Sequence, residues 1–235
     1  MSSQLKNNLI ANFIGQGWVA IMSLAFIPLY IKYLGVEAYG LIGLFALMQT
    51  MSRLLDMGMA PTLGREMARF SGGSKSTESI LDLLRSIEML AAVIALSIML
   101  GVGLSSNSIA SSWLQSEILS SQVVAGAIAI MGLVLALRFV ESLYRSAIIG
   151  LQRQVLFNWV NGSMATLRGL GAVAILVWVS PTIEAFFLWQ GAVSVMTVFI
   201  LAYSTYSILP QGSRNGRFSM EALRGVWKFA GGMTA

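Results

Sequence analysis

The sequence predicts an all-α membrane protein built as a bundle of six transmembrane helices. Its composition is the first indication, because 56% of the 235 residues are hydrophobic and only 11% are charged. The mean hydropathy is +0.75, whereas an ordinary soluble domain carries about 25% charged residues. The second indication is six long apolar segments, and the third is a regular alternation of basic and non-basic loops. Lipid is therefore the expected solvent for most of the chain.

The apolar segments are each long enough for a tilted transmembrane helix. They are continuous rather than alternating, which favours helices over the strands of a membrane barrel. The first is too long for the hydrophobic region of a signal peptide, so we interpret it as an uncleaved span in which Pro28 introduces a kink. The predicted spans cover about 10–34, 41–63, 83–104, 122–150, 155–180 and 183–208.

Basic residues occur in alternate loops. The loop 104–121 has no Lys or Arg, and neither has the turn after the fifth segment. By the positive-inside rule, the basic side is cytoplasmic, and both the N-terminus with Lys6 and the tail lie on that side. The basic residues that define it are Arg65, Arg69, Lys75, Arg85, Arg145, Arg153, Arg214, Arg217, Arg224 and Lys228.

The chain divides into one large unit and a short tail. Residues 1–209 form the predicted six-helix lobe, in which 64–84 is a cytoplasmic amphipathic helix and turn. Residues 210–225 form a polar cytoplasmic linker. Residues 226–235, VWKFAGGMTA, form the start of a seventh apolar stretch, and they are too few to span a bilayer. We therefore expect the chain to be a fragment of a longer membrane protein.

Several chemistries are excluded by residue usage. The chain has no Cys and no His, which removes disulfides, thiol chemistry and the usual zinc sites, so we expect no metal and no cofactor. The net charge of +5 does not indicate nucleic-acid binding, because the basic residues lie in loops beside apolar runs.

The stretch RLLDMGMAPTLGRE places charge at the end of the second span. Arg53 and Asp56 are three residues apart, so they can pair along one helix, and Gln49 lies on the same face. One interpretation is a pair near the cytoplasmic end with Arg53 snorkelling outward. The other is a cavity carboxylate, because Asp56 is too short to snorkel far. The sequence leaves both open.

The fourth span carries Arg138, Glu141 and Arg145 on one helical face. Glu141 and Arg145 are spaced to form an ion pair, which leaves Arg138 in excess. Charged residues within the bilayer cost about 2.5–3.5 kcal/mol each, so they usually face a partner or a water-filled cavity.

The fifth span carries Asn158, Asn161 and Arg168. Arg168 lies near the middle of the span with no acidic residue within a helical turn, so it needs water, an anion or a carboxylate from another helix. We favour a cationic, water-filled cavity. The alternative is that Asp56 or Glu141 pairs with Arg168 across helices and only fixes packing.

Two stretches near the N-terminus, PLYIKYLGVEAYGL (28–41) and LLDMGMAPTLGREMAR (54–69), carry a family resemblance. The chain resembles the Wzx-type polysaccharide flippases of the multidrug/oligosaccharidyl-lipid/polysaccharide (MOP) exporter superfamily. YRSAIIGLQRQ (144–154) and RFSMEALRGVWKFA (217–230) match that pattern too. The matching positions are Pro28, Leu34, Gly35, Tyr39, Gly40, Leu55, Asp56, Gly58 and Arg65.

The resemblance implies a fold of twelve or more helices in two six-helix lobes around a central cavity. This chain would be the first lobe and the start of helix seven, and its partner would be a C-terminal lobe on the same or a second polypeptide. The implied function is movement of undecaprenyl-pyrophosphate-linked oligosaccharide to the outer leaflet of the bacterial cytoplasmic membrane by alternating access. It also implies a transporter rather than an enzyme, with the lipid-linked oligosaccharide and membrane lipids as partners.

Arginines suit a pyrophosphate, which accepts bidentate hydrogen bonds. Arg138 and Arg168 are the first candidates for that role and Arg53 is the third. Asp56 and Glu141 would hold the arginines in place or bind a coupling cation. The predicted polar lining consists of Gln16, Gln49, Asn158 and Asn161, and Gln190 is a weaker candidate.

Two rival functions are open. A multidrug exporter of the same superfamily would move organic cations, but it should have an acidic cavity, and here the membrane arginines outnumber the buried carboxylates. A membrane-embedded glycan polymerase or ligase needs catalytic groups in a sizeable outer loop, and the outward loops here are short.

Overall fold

The computed structural model describes residues 3–112, 119–210 and 216–220, except for the side chains of 3–11 and 53. This part of the chain is helical, with no strand among its residues. A 3-10 turn, Arg53–Asp56, joins the third and fourth helices. The helices are α1 Ser3–Ala25, α2 Ile27–Leu34, α3 Val36–Ser52, α4 Met59–Ser71, α5 Thr77–Ser112, α6 Ser121–Gly150, α7 Gln154–Trp178 and α8 Ile183–Ile208.

Within the described residues, six helical segments are long and apolar enough to cross a membrane. They confirm the prediction of an all-helical protein with six candidate spans, and they indicate a membrane protein. The segments are Asn12–Leu34, Val36–Asp56, Thr77–Ser112, Ser121–Gly150, Gln154–Trp178 and Ile183–Ile208. The predicted seventh apolar stretch, 226–235, lies outside the described residues, as does most of the linker 210–225.

The first span is interrupted where its proline predicts. Helix α1 ends at Ala25 and α2 begins at Ile27, so the break falls at Phe26, two residues before Pro28. Proline has no N–H to continue the helical hydrogen bonds. The ladder resumes with the Tyr30 N–H, which donates to the Phe26 carbonyl at 3.0 Å. Gly35, with φ of 82°, then ends α2.

The predicted second span, 41–63, is too long at its C-terminal end. Helix α3 stops at Ser52 and the 3-10 turn stops at Asp56. Met57 and Gly58 then adopt left-handed backbone conformations, with φ of 46° and 77°. Two such residues in a row cannot continue a right-handed helix, so α4 starts as a separate element at Met59. The apolar run hides this break because Met57 and Met59 are both hydrophobic.

The third span is longer than predicted. Helix α5 runs for 36 residues, which corresponds to about 54 Å and exceeds the hydrocarbon core of about 30 Å. The predicted loop 104–121 is therefore helical as far as Ser112. Its serines lower the hydropathy, but Ser106 and Ala110 are buried, so tertiary packing holds this part of the helix.

Helix α6 lies at the centre of the bundle. It packs against α5 on one side, α8 on another and α4 near its C-terminal end, whereas α1 packs mainly on α7. In the α1–α7 interface, the Asn158 amide donates to Asn12 Oδ1 at 2.6 Å and the Trp18 indole donates to Thr166 Oγ1 at 2.8 Å. The arrangement leaves a space between α3, α4, α6, α7 and α8.

Candidate functional site

A cavity of about 540 Å³ occupies this space. It is lined by polar and charged side chains from five elements, interspersed with apolar ones. The charged and amide groups that line it are Gln49, Asp56, Arg138, Glu141, Arg145, Asn161 and Arg168.

The charged centre of the cavity lies deep in the bundle. The end of the bundle at which α6 stops and α7 starts is called the α6–α7 end. Arg138 precedes Gly150 by twelve residues and Arg168 follows Gln154 by fourteen. At 1.5 Å per residue these intervals correspond to about 18 and 21 Å of helix. In a hydrocarbon core of about 30 Å, both guanidinium groups would therefore lie near mid-depth.

Arg168 has a carboxylate partner on another helix. Its Nη2 lies 2.5 Å from Glu141 Oε1 on α6, and it also contacts Thr197 Oγ1 at 3.3 Å and Ser194 Oγ at 3.5 Å on α8. Of the alternatives that the sequence left open for Arg168, the structure shows a carboxylate from another helix, that of Glu141. The carboxylate that we expected to serve Arg145 is engaged by Arg168, a contact between helices that spacing along one helix cannot reveal.

Arg138 forms no salt bridge with any carboxylate of the described residues. Its Nη2 donates to Gln190 Oε1 at a long distance of 3.4 Å, and its guanidinium carbon lies 6.0 Å from the centre of the Phe45 ring. The Nε atoms of Arg138 and Arg168 are both buried, and neither has a hydrogen-bond partner among the residues that the structure describes.

A buried N–H without an acceptor costs about 1–3 kcal/mol, and more when the group is charged. Native structures therefore rarely leave one unmatched unless water, an ion or a ligand supplies the acceptor. Two such donors from neighbouring helices in one cavity mark a place suited to an anion with several oxygen atoms.

Arg145 adds a third guanidinium to the lining. It is exposed, and its guanidinium carbon lies 4.9 Å from the centre of the Phe157 ring. Among the described side chains that line the cavity, three arginines face two carboxylates, those of Asp56 and Glu141, so positive charge is in excess by one. The cavity is therefore electrostatically suited to anions.

Asp56 lies just before the start of α4 and faces the cavity. Its carboxylate accepts the Ala60 N–H at 3.1 Å from Oδ1 and 3.3 Å from Oδ2. It thereby caps the first turn of α4, and it also lines the cavity. The side chain of Arg53 lies outside the described residues, so its predicted place in the site stays a prediction.

The predicted polar lining divides into two groups. Gln49 and Asn161 line the cavity. Gln16 and Asn158 do not: Gln16 is exposed, and Asn158 is buried in the α1–α7 interface. The reason is that α1 packs on α7 away from α6 and α8, and this neighbour relation is not written in the sequence.

Ser194 and Thr197 were missed by sequence reasoning. Together with Gln190 they are spaced at i, i+4 and i+7 on α8, which places all three on one helical face. All three are buried, and all three contact one of the two central arginines. A row of polar residues on one face of an otherwise apolar helix is the sequence pattern that could have identified them.

A second charged cluster lies outside the cavity, on α4. The buried carboxylate of Glu66 contacts Arg65 at 2.9 Å, Lys75 at 2.8 Å and Arg69 at 3.3 Å. Burial raises the pKa of Glu66, but hydrogen bonds from Lys75 and Arg65 and the charges of Lys75 and Arg69 outweigh it and hold the pKa below its ordinary value. Among the described residues, no group of three or more His, Cys, Asp and Glu side chains could hold a metal ion.

Comparisons with known proteins give no relative: no family model, no curated protein and no solved structure matches the chain. The function must therefore be inferred from the chemistry of the cavity and from the motifs themselves.

Proposed function

We propose that this chain is the first lobe of a flippase that moves undecaprenyl-pyrophosphate-linked oligosaccharide from the cytoplasmic to the outer leaflet of the bacterial cytoplasmic membrane. The observation that carries the proposal is the pair of buried, unpartnered Nε–H groups of Arg138 and Arg168 in one cavity. The motifs that resemble the Wzx-type flippases support the same assignment.

A pyrophosphate group fits the chemistry of this centre. It carries several acceptor oxygens and more than one negative charge, and guanidinium groups bind such oxygens through paired N–H donors. Arg138 is the principal anchor, because it forms no salt bridge with a described carboxylate. Arg168 is the second anchor, and it shares its charge with Glu141.

Glu141 keeps binding reversible. Its carboxylate competes with a bound pyrophosphate for Arg168, so the anion never gains the full attraction of two free cations. A transporter needs a site that is favourable enough to load and weak enough to release. Asp56, at the edge of the same cavity, lowers the excess positive charge further.

The cavity is matched to a headgroup rather than to a complete glycolipid. Ligand pockets for small molecules measure about 300–1,000 Å³, and this one measures about 540 Å³. Repeat-built transporters bind their substrates between two bundles. The proposal therefore includes a second lobe that faces this cavity, and alternating access between the two.

An exporter of organic cations is the second candidate. It is favoured by Asp56 and by the aromatic rings of Phe139 and Phe157 in the lining, because cations bind carboxylates and aromatic faces. Three guanidinium groups in the same cavity oppose it. We assign no catalytic step to the chain, so a glycan polymerase or ligase ranks below both.

Binding to the purified protein in lipid nanodiscs tests the proposal. Undecaprenyl pyrophosphate should bind and be detected by native mass spectrometry, whereas the organic cation tetraphenylphosphonium should not displace it. Arg138→Gln should weaken binding about 10- to 100-fold, the size expected for a charge-assisted hydrogen bond. Arg138→Lys should lose less, because lysine keeps the charge without the fork.

Arg153→Gln is the matched control. Arg153 is exposed in the turn between α6 and α7 and should leave the affinity unchanged. Equal affinities of Arg138→Gln and the unmodified protein for undecaprenyl pyrophosphate would show that the pyrophosphate does not bind in this cavity. Displacement by tetraphenylphosphonium would favour the organic-cation exporter instead.

A further inference from the structure

Residues 216–219, which come after α8 in the chain, lie along the start of α5. The Arg217 N–H donates to Asp82 Oδ1 at 2.7 Å, and the Ser219 N–H donates to Ser86 Oγ at 2.8 Å. Gly216 lies so close that a Cβ atom there would be 2.5 Å from the Leu81 carbonyl oxygen. These contacts join residues more than 130 positions apart in the chain.

The spacing of these bonds has a geometric basis. Asp82 and Ser86 are four residues apart on α5, which is about 6.0 Å along a helix. Residues 217 and 219 are two apart in a non-helical segment, which is about 6.6 Å in an extended chain. The two acceptors on the helix therefore match alternate N–H groups of an extended backbone.

Ser86 is oriented for this purpose. Its side chain is completely buried, and its hydroxyl donates to the Asp82 carbonyl at 2.6 Å. With the hydrogen used in this way, the oxygen is left to accept the Ser219 N–H. Both hydrogen bonds from residues 217 and 219 to α5 thus use backbone N–H groups.

A further set of hydrogen bonds joins α5 to α8 and α6 at this end of the bundle. Glu88 of α5 accepts the Tyr206 hydroxyl of α8 at 2.8 Å and the Tyr144 hydroxyl of α6 at 2.8 Å. Helices α5 and α8 each pack extensively on α6. The bond to Tyr206 and the two backbone bonds therefore link α5 to α8 and its continuation at the α6–α7 end.

We propose that Asp82 and Ser86 form a docking site for the extended backbone of residues 216–219, which acts as a strap that holds the end of α8 to the start of α5. The site selects an extended segment with a glycine at its first position. A movement that separates α5 from α8 at this end must first release the strap. This role is independent of what binds in the cavity.

Hydrogen–deuterium exchange of the Arg217 and Ser219 amides tests the strap in the full chain. Ser86→Ala should increase exchange at Ser219 about tenfold, the effect of losing one hydrogen bond. Asp82→Ala should do the same at Arg217, whereas Asp82→Asn keeps an acceptor oxygen and should retain protection. Ser97→Ala, which removes an exposed hydroxyl that bonds the Val93 carbonyl on the same helix, should change neither amide.

Gly216→Ala provides a test that leaves α5 intact. Its Cβ would clash with the Leu81 carbonyl, so both amides should lose protection. Gly101→Ala, where a Cβ meets nothing within 4 Å, is the control and should have no effect. Unprotected amides in the unmodified protein, or protection that survives both Ser86→Ala and Gly216→Ala, would overturn the strap.

Discussion

Glu141 and Arg168 are the residues on which the centre of the cavity depends. Each side chain is about one-seventh exposed, at 13% and 14%, and their charged atoms are in direct contact. Two charges at this depth are tolerated because they neutralise one another and because Ser194 and Thr197 contact the same guanidinium. Arg138 has no direct contact with a described carboxylate, which is why we place the ligand beside it.

Removing one member of this pair should be more harmful than removing both. Glu141→Gln or Arg168→Gln leaves a buried charge without its partner, and we expect each to destabilise the protein by about 3–5 kcal/mol. The double variant, Glu141→Gln with Arg168→Gln, should recover most of that loss. Thermal unfolding in detergent and the protein level in membranes measure both effects.

Arg85→Gln is the control for this comparison. Arg85 is half exposed and contacts Glu88 at 3.3 Å, and exposed pairs contribute about 0–1 kcal/mol. If the single variants at Glu141 and Arg168 were as stable as Arg85→Gln, the pair would have no structural role. That result would leave both groups free for the ligand.

Sequence reasoning identified most of the charged groups of the site, because an ionisable residue within an apolar run is conspicuous. It found Arg138, Glu141 and Arg168, and it placed Asp56 at a helix end. It could not decide which carboxylate meets Arg168, because that contact depends on how α6 and α7 face each other. Gln16 was wrongly predicted to line the cavity for the same reason, because the sequence does not show which helices are neighbours.

At the scale of helices, the crossing of α4 over α6 fixes one wall of the cavity. A Cβ atom at Gly150 would overlap the Gly64 carbonyl and the Met67 side chain. The two backbones are therefore in direct contact, as small residues permit in helix packing. This crossing holds α4, and with it the turn capped by Asp56, against the bundle.

Gly150→Ala should therefore destabilise the protein by about 1–3 kcal/mol, the usual cost of overpacking. Gly43→Ala is the matched control, because a Cβ there meets nothing within 4 Å, and alanine is the better helix former. Melting temperatures of the two variants in one detergent give the comparison. An unchanged melting temperature for Gly150→Ala would show that α4 can move away from α6 at no cost.

The bounds of the helices were predictable where a turn residue or a polar gap closes an apolar run. Helices α6, α7 and α8 begin and end within two residues of the predicted 122–150, 155–180 and 183–208. The predicted end of the second span was wrong because Met57 and Gly58 have left-handed backbone conformations. The predicted end of the third span was wrong because packing keeps the weakly polar residues 105–112 helical.

At the scale of the whole molecule, composition alone was sufficient for the class of protein. Its length, low charge content and high hydropathy predicted about six apolar helices, and the described part of the chain has six helices of the required length and composition. The side of the membrane on which the basic loops lie, the second lobe and the transported substrate stay predictions, because they concern partners and an environment that one chain does not contain.

We expect a pyrophosphate-linked glycolipid to enter the cavity beside Arg138. Site-specific photo-crosslinking tests it most directly, with the photoreactive residue p-benzoylphenylalanine placed at Asn161 in cells that make a lipid-linked oligosaccharide. Asn161 lines the cavity, and Trp159, two residues away on α7, is 74% exposed and is the control position.

We expect the Asn161 position to crosslink to the lipid-linked oligosaccharide, detected by its sugar label, and the Trp159 position to crosslink only to bulk lipid. Adding Arg138→Gln should remove most of the Asn161 product without lowering the protein level. Equal labelling at the two positions, or labelling at Asn161 that persists in Arg138→Gln, would contradict the cavity as the substrate site.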